Sequence, residues 1–448
     1  MKSLYFLFYL FIFNVVLSQS DNVQILDHWY KDGLPTTYDG ESIFNEVWGF
    51  QVNDIQYAVI GSTMGTHLLM IDSNDHFIEI DFVLGRYAGI DAIHRDYHDY
   101  NGYLYAVCDE NESSLQIMDL QYLPDSMPVV YDNDSLIVRA HNIFIDTSNA
   151  KLYGCSVKTH NGNYAMVVYD ISNPIAPQLI TTYDMVGHVH DVYVVNDTAF
   201  LNCGNEGLKV LRFTNSGAPV QLGELSVYPY MGYNHSGWLN ASRDSYVMCD
   251  ETPGMNVKVL DVSDLNDITV SSTFSSGFYE ETLPHNVIVR GDVAFISYYN
   301  DGIHIYDIKT PDNPKRLGYY DTYDGSNDLL YRGVWGVYPI GRGEKILVSD
   351  RKYGLYLMSF ITPPITNNDV ASIFPNPSPG YIYFFKEHFG EADYQLEIYD
   401  PIGRLINVFF GNNDYLFIDL NGCNTGIYFL RYISNLGNDI FTKAFFIE

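Results

Sequence analysis

The chain has 448 residues, of which 47% are hydrophobic, so it is long enough to bury a large core. It carries 24 Lys and Arg residues against 55 Asp and Glu residues, which gives a formal net charge of −31 at pH 7. A chain this acidic repels phosphate backbones, which argues against nucleic acid as a partner.

Residues 1–18 have the pattern of a secretory signal peptide. Lys2 supplies the positive end, an apolar run extends from Leu4 to Leu17, and Ser18 places a small residue before the expected cleavage at Gln19. The run is shorter than a membrane span, and no later stretch of sequence reaches 18 consecutive apolar residues. The sequence therefore predicts an exported chain with no transmembrane helix after cleavage.

A strand-like segment recurs about every 47 residues in the region 19–362. Each copy begins with an aromatic or imidazole side chain, and further β-rich runs follow before the next copy. The seven anchor residues are Trp48, His94, His141, His190, His235, His285 and Trp335. Four short strands at this period are typical of a β-propeller blade, and seven blades in a circle cover one another's faces. We therefore expect an all-β chain with a seven-bladed β-propeller over residues 19–362.

Four of the five cysteines follow the same period. Each of them comes just after the second β-rich run of its own copy, and they are Cys108, Cys155, Cys203 and Cys249. We expect these thiols to be small buried hydrophobic groups, because equivalent positions in neighbouring blades need not be bonded. Disulfides between adjacent blades remain an alternative.

The anchors are expected to meet at the central channel, because the first strand of each blade lines it. Four polar residues lie next to or near the anchors and complete the predicted channel lining, namely Asp96, Asn142, Asp191 and Asn286. Two interpretations of the repeated histidines stay open. They either hydrogen-bond the backbone of a neighbouring blade and close the ring, or they hold a metal ion or a small ligand.

The second interpretation makes four histidines candidate metal ligands, namely His141, His190, His235 and His285. Imidazole is a common ligand for Zn²⁺, whereas the many carboxylates of the chain suit Ca²⁺, so the expected cofactor is a divalent metal of either kind. Asp250 and Glu251 would add oxygen ligands or a general base.

The composition changes after Phe360. Pro, Asn and Thr are frequent there, and we predict a linker at residues 363–372. Residues 373–448 contain strand-like runs without the 47-residue register, which predicts a separate small β-sandwich.

The repeat region resembles the choice-of-anchor B family, which is built from LVIVD-type propeller repeats. The segments that carry this resemblance are Ala140-His141-Asn142, His190-Asp191, Tyr233 to Trp238, Leu260 to Asp264, Pro284-His285-Asn286 and Val334 to Pro339. It implies a propeller with a variable C-terminal anchoring signal and no general catalytic activity.

Residues 373–448 resemble a type IX secretion C-terminal sorting domain. The resemblance is carried by Phe374 to Gly380, Leu396 to Arg404, Ile418 to Leu420 and Gly426 to Leu430. It implies a Bacteroidota-type bacterium, the type IX secretion machinery as a partner, and delivery across the outer membrane to the cell surface or the medium.

Three functions are compatible with these patterns. The first is a non-catalytic binding or adhesion module for an extracellular glycan or protein, which is favoured because no Gly-x-Ser-x-Gly, His-Glu-x-x-His, phosphate-loop or Cys-x-x-Cys motif occurs in the sequence. The alternative is a metal-dependent hydrolase or lyase with its site on the histidines. The third is a scaffold that takes no ligand.

Overall fold

The computed structural model describes residues 20–38, 40, 42–214, 218–279, 281–323, 331–341, 343–361, 371–374, 378, 381–386, 394–411, 415–420, 422–434 and 440–447. The predicted signal peptide and most of the predicted linker lie outside them. Within these ranges the regular structure is almost all strand, with one short 3-10 helix at Leu120–Tyr122. No helix of the described residues is long and apolar enough to cross a membrane.

Two strands precede the first repeat, β1 (Ser20–Asp21) and β2 (Val23–Trp29). Blade 1 consists of β3 (Phe44–Val52), β4 (Ile55–Ser62), β5 (Gly65–Ile71) and β6 (Phe77–Leu84). Blade 2 consists of β7 (Arg95–Tyr100), β8 (Tyr103–Cys108), β9 (Leu115–Asp119) and β10 (Val129–Asn133). Blade 3 consists of β11 (Asn142–Asp146), β12 (Lys151–Thr159), β13 (Gly162–Asp170) and β14 (Gln178–Tyr183). Each blade is an antiparallel sheet whose strands pair in chain order.

Blades 4 to 7 follow the same plan. Blade 4 consists of β15 (Asp191–Val195), β16 (Thr198–Asn202), β17 (Leu208–Arg212) and β18 (Val220–Leu225), and blade 5 of β19 (Asn234–Leu239), β20 (Ser245–Asp250), β21 (Val257–Asp261) and β22 (Thr269–Phe274). Blade 6 consists of β23 (Val287–Arg290), β24 (Val293–Ser297), β25 (Ile303–Asp307) and β26 (Lys315–Tyr320). Blade 7 contains β27 (Val334–Ile340), β28 (Lys345–Asp350) and β29 (Gly354–Phe360). The last repeat thus supplies three strands of its own.

The seven sheets close into a ring. The first strands of the blades contact one another in the order β3, β7, β11, β15, β19, β23 and β27, and β27 returns to contact β3. The closed order of these contacts confirms the prediction of a seven-bladed β-propeller. In this ring each blade covers one face of the next blade.

The N-terminal strand β2 completes blade 7. It pairs antiparallel with β29, from Val23 opposite Phe360 to Trp29 opposite Leu355. The shorter β1 adds a fifth strand to blade 6, with Ser20 opposite Tyr320. The repeat pattern did not predict this arrangement, because the sequence around β2 does not begin with the aromatic or imidazole anchor.

The hydrophobic core lies between adjacent blades. Tyr153 and Val168 of blade 3, for example, pack in one cluster with Val192 and Leu201 of blade 4. Alternation of side chains along each strand gives every blade two apolar faces, and both faces are buried only when neighbours stand on either side. Closure of the ring is therefore a condition for burying the core.

The four periodic cysteines are buried and unbonded, as expected from the sequence. They lie in or one residue beyond the second strand of the blade, beside the start of the first strand, where Cys108 pairs with Arg95 and Cys155 with Asn142. Burial raises the pKa of the Cys108 thiol to about 11 and that of Cys203 to about 12. These thiols act as small core groups.

The C-terminal region forms two further sheets. One contains β30 (Ala371–Phe374), β31 (Tyr381–Lys386) and β34 (Tyr415–Asp419); the other contains β32 (Tyr394–Tyr399), β33 (Leu405–Gly411), β35 (Gly426–Ser434) and β36 (Ile440–Ile447). Ile382 and Phe384 of the first sheet share one buried cluster with Leu396 and Leu430 of the second. The predicted β-sandwich is confirmed.

Candidate functional site

Five histidines and one tryptophan form a closed circle at one level of the channel. The centroids of neighbouring rings are 3.8–5.3 Å apart around the whole circle, which comprises His94, His141, His190, His235, His285 and Trp335. We call these six side chains the histidine ring. They lie within, or up to two residues before, the first strands of blades 2 to 7, so the propeller repeat itself brings them together.

Hydrogen bonds fix three of the histidines. His94 Nδ1 lies 2.5 Å from a carboxylate oxygen of Glu110, and His141 Nδ1 lies 2.8 Å from a carboxylate oxygen of Asp109. His285 Nδ1 donates to the carbonyl oxygen of Trp335, 2.6 Å away, in the next blade. The backbone bond expected from the first interpretation of the repeated histidines therefore exists at His285, whereas His94 and His141 are held by carboxylates.

The other two histidines have ring nitrogens without a hydrogen-bond partner. The Nδ1 atoms of His190 and His235 are both buried, and neither has a partner among the described residues. Burial lowers the pKa of both imidazoles well below the usual value, and the neighbouring histidines add to the effect. Both rings are therefore neutral at pH 7, the state in which imidazole binds metal ions.

Glu251 stands beside these two histidines. One of its carboxylate oxygens, Oε2, is 3.7 Å from His235 Nε2, and the other, Oε1, accepts a hydrogen bond of 2.6 Å from the hydroxyl of Tyr299. Burial raises the pKa of Glu251 to about 7, and the hydrogen bond from Tyr299 opposes that rise. His190, His235 and Glu251 have ligand-capable atoms that all lie within 4.8 Å of one another.

Three further carboxyl groups line the same cavity as the histidine ring, namely those of Glu46, Asp96 and Asp191. Asp96 accepts a hydrogen bond from the backbone of Ile143 in the next blade, 2.6 Å away. Burial raises the pKa of Glu46 to about 8 and that of Asp96 to about 7, and it raises the pKa of Asp191 well above its usual value. The charge of the nearby Asp96 is a second cause of the raised pKa of Glu46 and of Asp191.

Trp48 does not belong to the histidine ring. Its indole lies against His98 and Tyr338, with centroid distances of 4.4 and 4.8 Å. The pairing of β3 with β4 shifts register between Phe44 and Val47, and Glu46, two residues earlier, faces the cavity instead. The prediction that Trp48 is equivalent to the histidines is corrected in this way.

Trp48 is part of a second set of rings, which we call the aromatic tier and which comprises Trp48, His98, Phe144, Tyr193, Trp238 and Tyr338. Phe144 of blade 3 contacts Trp238 of blade 5, although blade 4 stands between them. Arg290 lies over both Trp238 and Tyr338, 5.7 and 5.5 Å from their centroids. Because rings of non-adjacent blades meet, the channel is filled at this level.

The histidine ring and the carboxyl groups enclose a cavity of about 540 Å³. Its lining includes every sequence-predicted site residue except Trp48 and Asp250, and the buried carboxylate of Asp250 instead accepts a hydrogen bond of 2.6 Å from Lys258. The lining also includes residues that the sequence did not single out, among them Glu46, Tyr299, Tyr331, Arg332 and Arg351. These residues lie outside the aligned anchor positions, so the repeat pattern gave no signal for them. Arg351 lies over Trp335, 5.1 Å from its ring centroid, and brings positive charge to the cavity.

Three hydrogen-bonded side chains in blade 1 have the order of a catalytic triad. Ser62 Oγ lies 3.0 Å from His67 Nε2, and His67 Nδ1 lies 3.1 Å from Glu79. Ser62 is fully buried, and its hydroxyl also accepts hydrogen bonds from the backbone of Met64 and Gly65. Ser62 is absent from the lining of the cavity described above. We therefore interpret the hydrogen bonds of Ser62, His67 and Glu79 as structural contacts that stabilise the turn between β4 and β5.

Residues 372–448 match the family of secretion system C-terminal sorting domains. The type IX sorting domain predicted from residues 373–448 is thus confirmed. Proteins with this domain are exported by the type IX secretion system, so the chain is delivered to the cell surface or the extracellular space. None of the curated proteins matches this chain. The resemblance to the choice-of-anchor B family stays a prediction.

Several solved structures are similar in fold. PorZ, a surface component of the type IX secretion system of Porphyromonas gingivalis, is 10% identical with a TM-score of 0.47, and the alignment covers 90% of this chain and 59% of that one, so the chain spans about three fifths of the PorZ chain. The RRP9 WD40 repeats are 9% identical (TM-score 0.53; 75% and 97% covered). The periplasmic gluconolactonase of Pseudomonas aeruginosa is 11% identical (TM-score 0.51; 85% and 100% covered). At these identities the last two likenesses concern the fold alone.

Proposed function

We propose that the protein is an exported binding module that takes a small polar group, such as a sugar unit of an extracellular glycan, into the histidine-lined cavity. The observation that carries the proposal is the cavity itself. Its volume of about 540 Å³ falls in the range of about 300–1,000 Å³ that is usual for small-molecule sites. Export to the cell surface or medium would place this cavity among extracellular ligands.

The lining suits a ligand with both polar groups and a flat apolar face. Tyr299, Tyr331 and Trp335 contribute aromatic rings, and Arg332 and Arg351 contribute positive charge. Aromatic faces pack against the C–H face of a sugar, whereas arginine and imidazole bond to hydroxyl or carboxylate groups. Tyr331 is 47% exposed, so its ring is accessible to a ligand that enters from solvent.

A glycan array followed by calorimetry with the purified mature chain tests this proposal. We expect a saccharide that binds with one-to-one stoichiometry, and we expect Tyr331→Ala to weaken its binding at least about tenfold, the effect of losing about 1.4 kcal/mol. The control is Tyr122→Ala, which removes a similarly exposed tyrosine from the 3-10 helix outside the cavity. Equal weakening by both variants, or no saccharide ligand at all, would contradict the proposal.

The second candidate function is a metal-dependent hydrolase or lyase. The observation that favours it is the placement of the Glu251 carboxyl group, whose pKa is near 7, beside two neutral imidazoles. A general base is most effective when its pKa lies near the working pH. The test is whether the protein converts a saccharide that it binds. Turnover by the wild type that is lost in Glu251→Gln would favour this candidate. Unchanged turnover in Glu251→Gln, or no turnover by the wild type, would count against it.

A further inference from the structure

We propose that His190, His235 and Glu251 bind one divalent transition-metal ion of the Zn²⁺ class at the wall of the histidine cavity. Two imidazole nitrogens and one carboxylate oxygen are a donor set that Zn²⁺ accepts, and a fourth coordination position then remains for water or a ligand. All three side chains line the cavity, so that position is open to it. This inference goes beyond the binding function, because the cavity has room for a ligand with or without the ion.

The separations between the donor atoms fit such an ion after small side-chain rotations. Bond lengths of about 2.0–2.1 Å place the ligands of tetrahedral Zn²⁺ roughly 3.4 Å apart. His235 Nε2 and Glu251 Oε2 are already 3.7 Å apart, and the whole set lies within 4.8 Å. The shifts required are therefore about 1 Å, which rotation about the side-chain torsions supplies without movement of the strands.

Distance selects these two histidines, because with Glu251 they form the one set among the described residues whose ligand-capable atoms all lie within 4.8 Å of one another. His94, His141 and His285 each use Nδ1 to contact Glu110, Asp109 and the Trp335 carbonyl. His190 and His235 keep a buried Nδ1 without a partner among the described residues. A histidine whose Nδ1 is held by a hydrogen bond can still bind an ion through Nε2, so the distances between the donor atoms, and not these hydrogen bonds, select the two ligands. The four-histidine set predicted from the sequence is thereby reduced to His190 and His235.

Tyr299 positions the third ligand. Its hydroxyl donates to Oε1 of Glu251, which leaves Oε2 directed toward His235. Tyr299 is buried and packs against His285, with 4.6 Å between ring centroids, so its orientation is fixed by the fold. Metal ligands in proteins are commonly held by such outer contacts, which orient the coordinating atom.

The test uses the full mature chain after treatment with a chelator and removal of the chelator. Titration with ZnCl₂ in a calorimeter is expected to give one ion per chain. His190→Gln and Glu251→Gln are each expected to weaken binding at least about tenfold, because each removes one of three ligands. His94→Gln changes a histidine of the same ring that is outside this set of three ligands, and we expect it to bind Zn²⁺ as the wild type does. Circular dichroism establishes that each variant is folded.

Cobalt provides a second readout that does not depend on activity. Co²⁺ bound in place of Zn²⁺ is expected to give the intense visible absorption of a four-coordinate site, and this absorption should disappear in His190→Gln. Absence of saturable one-to-one binding, or equal loss in His94→Gln, would overturn the proposal. Saccharide binding by the chelator-treated chain separates the two proposals, since it would persist if only the metal site were wrong.

Discussion

The side-chain amide of Asn286 in blade 6 donates a hydrogen bond to the carboxylate of Glu46 in blade 1, with 2.8 Å between Nδ2 and Oε2. Blade 7 stands between these two blades. The corresponding place in blade 7 is occupied by Gly336, where a Cβ atom would lie 2.1 Å from Glu46 Oε1. The missing side chain therefore makes room for a hydrogen bond that joins two non-adjacent blades.

Gly336→Ala is expected to destabilise the propeller by about 1–3 kcal/mol, the usual cost of an overpacked interior. Chemical denaturation of both proteins measures the difference. Gly187→Ala is the control, because the nearest atom to a Cβ there is the movable carboxylate of Glu206 at 3.2 Å. If the clash with Glu46 is the cause, the cost of Gly336→Ala should fall in a Glu46→Ala background. An equal cost in both backgrounds would show that another contact is responsible.

Stability is expected to fall between pH 4.5 and pH 8 because of Glu46. Its pKa is raised from 4.5 to about 8, first by burial and then by Asp96. The folded chain therefore holds the proton of Glu46 more tightly than the unfolded chain does. The stabilisation that comes from this proton is complete below pH 4.5 and is lost as the pH rises through about 8. Asp96, with a pKa raised to about 7, acts in the same direction.

Thermal denaturation at several pH values checks this prediction. Glu46→Gln keeps an oxygen acceptor for Asn286 but has no proton to lose, so its midpoint should fall less than that of the wild type over the same range. Asp125→Asn, at an exposed turn of blade 2, is a suitable control. Parallel pH profiles for the wild type and Glu46→Gln would mean that Glu46 does not titrate in this interval.

The four periodic thiols are expected to be unreactive in the folded chain. They are buried and unbonded, and burial raises the pKa of Cys108 and Cys203 to about 11 and about 12. A thiol must be ionised and accessible to react, so a thiol reagent at pH 8 should modify them only after denaturation. Cys423 is partly exposed, and Cys423→Ser should remove any labelling of the native chain. If a reductant lowered the denaturation midpoint of the protein, that result would instead indicate a disulfide.

Strand β2 should be essential for the stability of the ring. Val23 is 1% exposed and packs in the core of blades 6 and 7, whereas its neighbour Gln24 is exposed. We expect Val23→Asp to destabilise the chain by at least about 3 kcal/mol, because it buries a charge without a partner. Gln24→Asp introduces the same charge in the same strand and should cost much less. Denaturation midpoints compare the two, and similar losses would argue against a closing role for β2.

The repeated pattern predicted the blades well because each blade is a local unit. Strand alternation and the spacing from His94 to His285 describe contacts between successive segments, and these are the contacts that the fold uses. The pattern failed at the two ends of the repeat, where β2 pairs with β29 and where Trp48 is displaced from the histidine ring. Both depend on long-range pairing or on a register shift, which periodicity does not encode.

The candidate site was predicted less completely than the fold. The histidine positions were visible as anchors, but their differences arise from hydrogen bonds to Glu110, Asp109 and the Trp335 carbonyl, which only the folded geometry defines. Glu251 was noted in the sequence as a possible oxygen donor, and its approach to His235 and Tyr299 depends on how blades 5 and 6 pack together.

The pairing of Val23 with Phe360 sets an order of events for the nascent protein. Strand β2 stays without this partner until the more than three hundred residues that separate Val23 from Phe360 have been made. Contacts so distant in sequence form slowly, and an unpaired strand edge invites association with other chains. Until β29 has been made and pairs with β2, the free edge of β2 is therefore a place where another chain could associate.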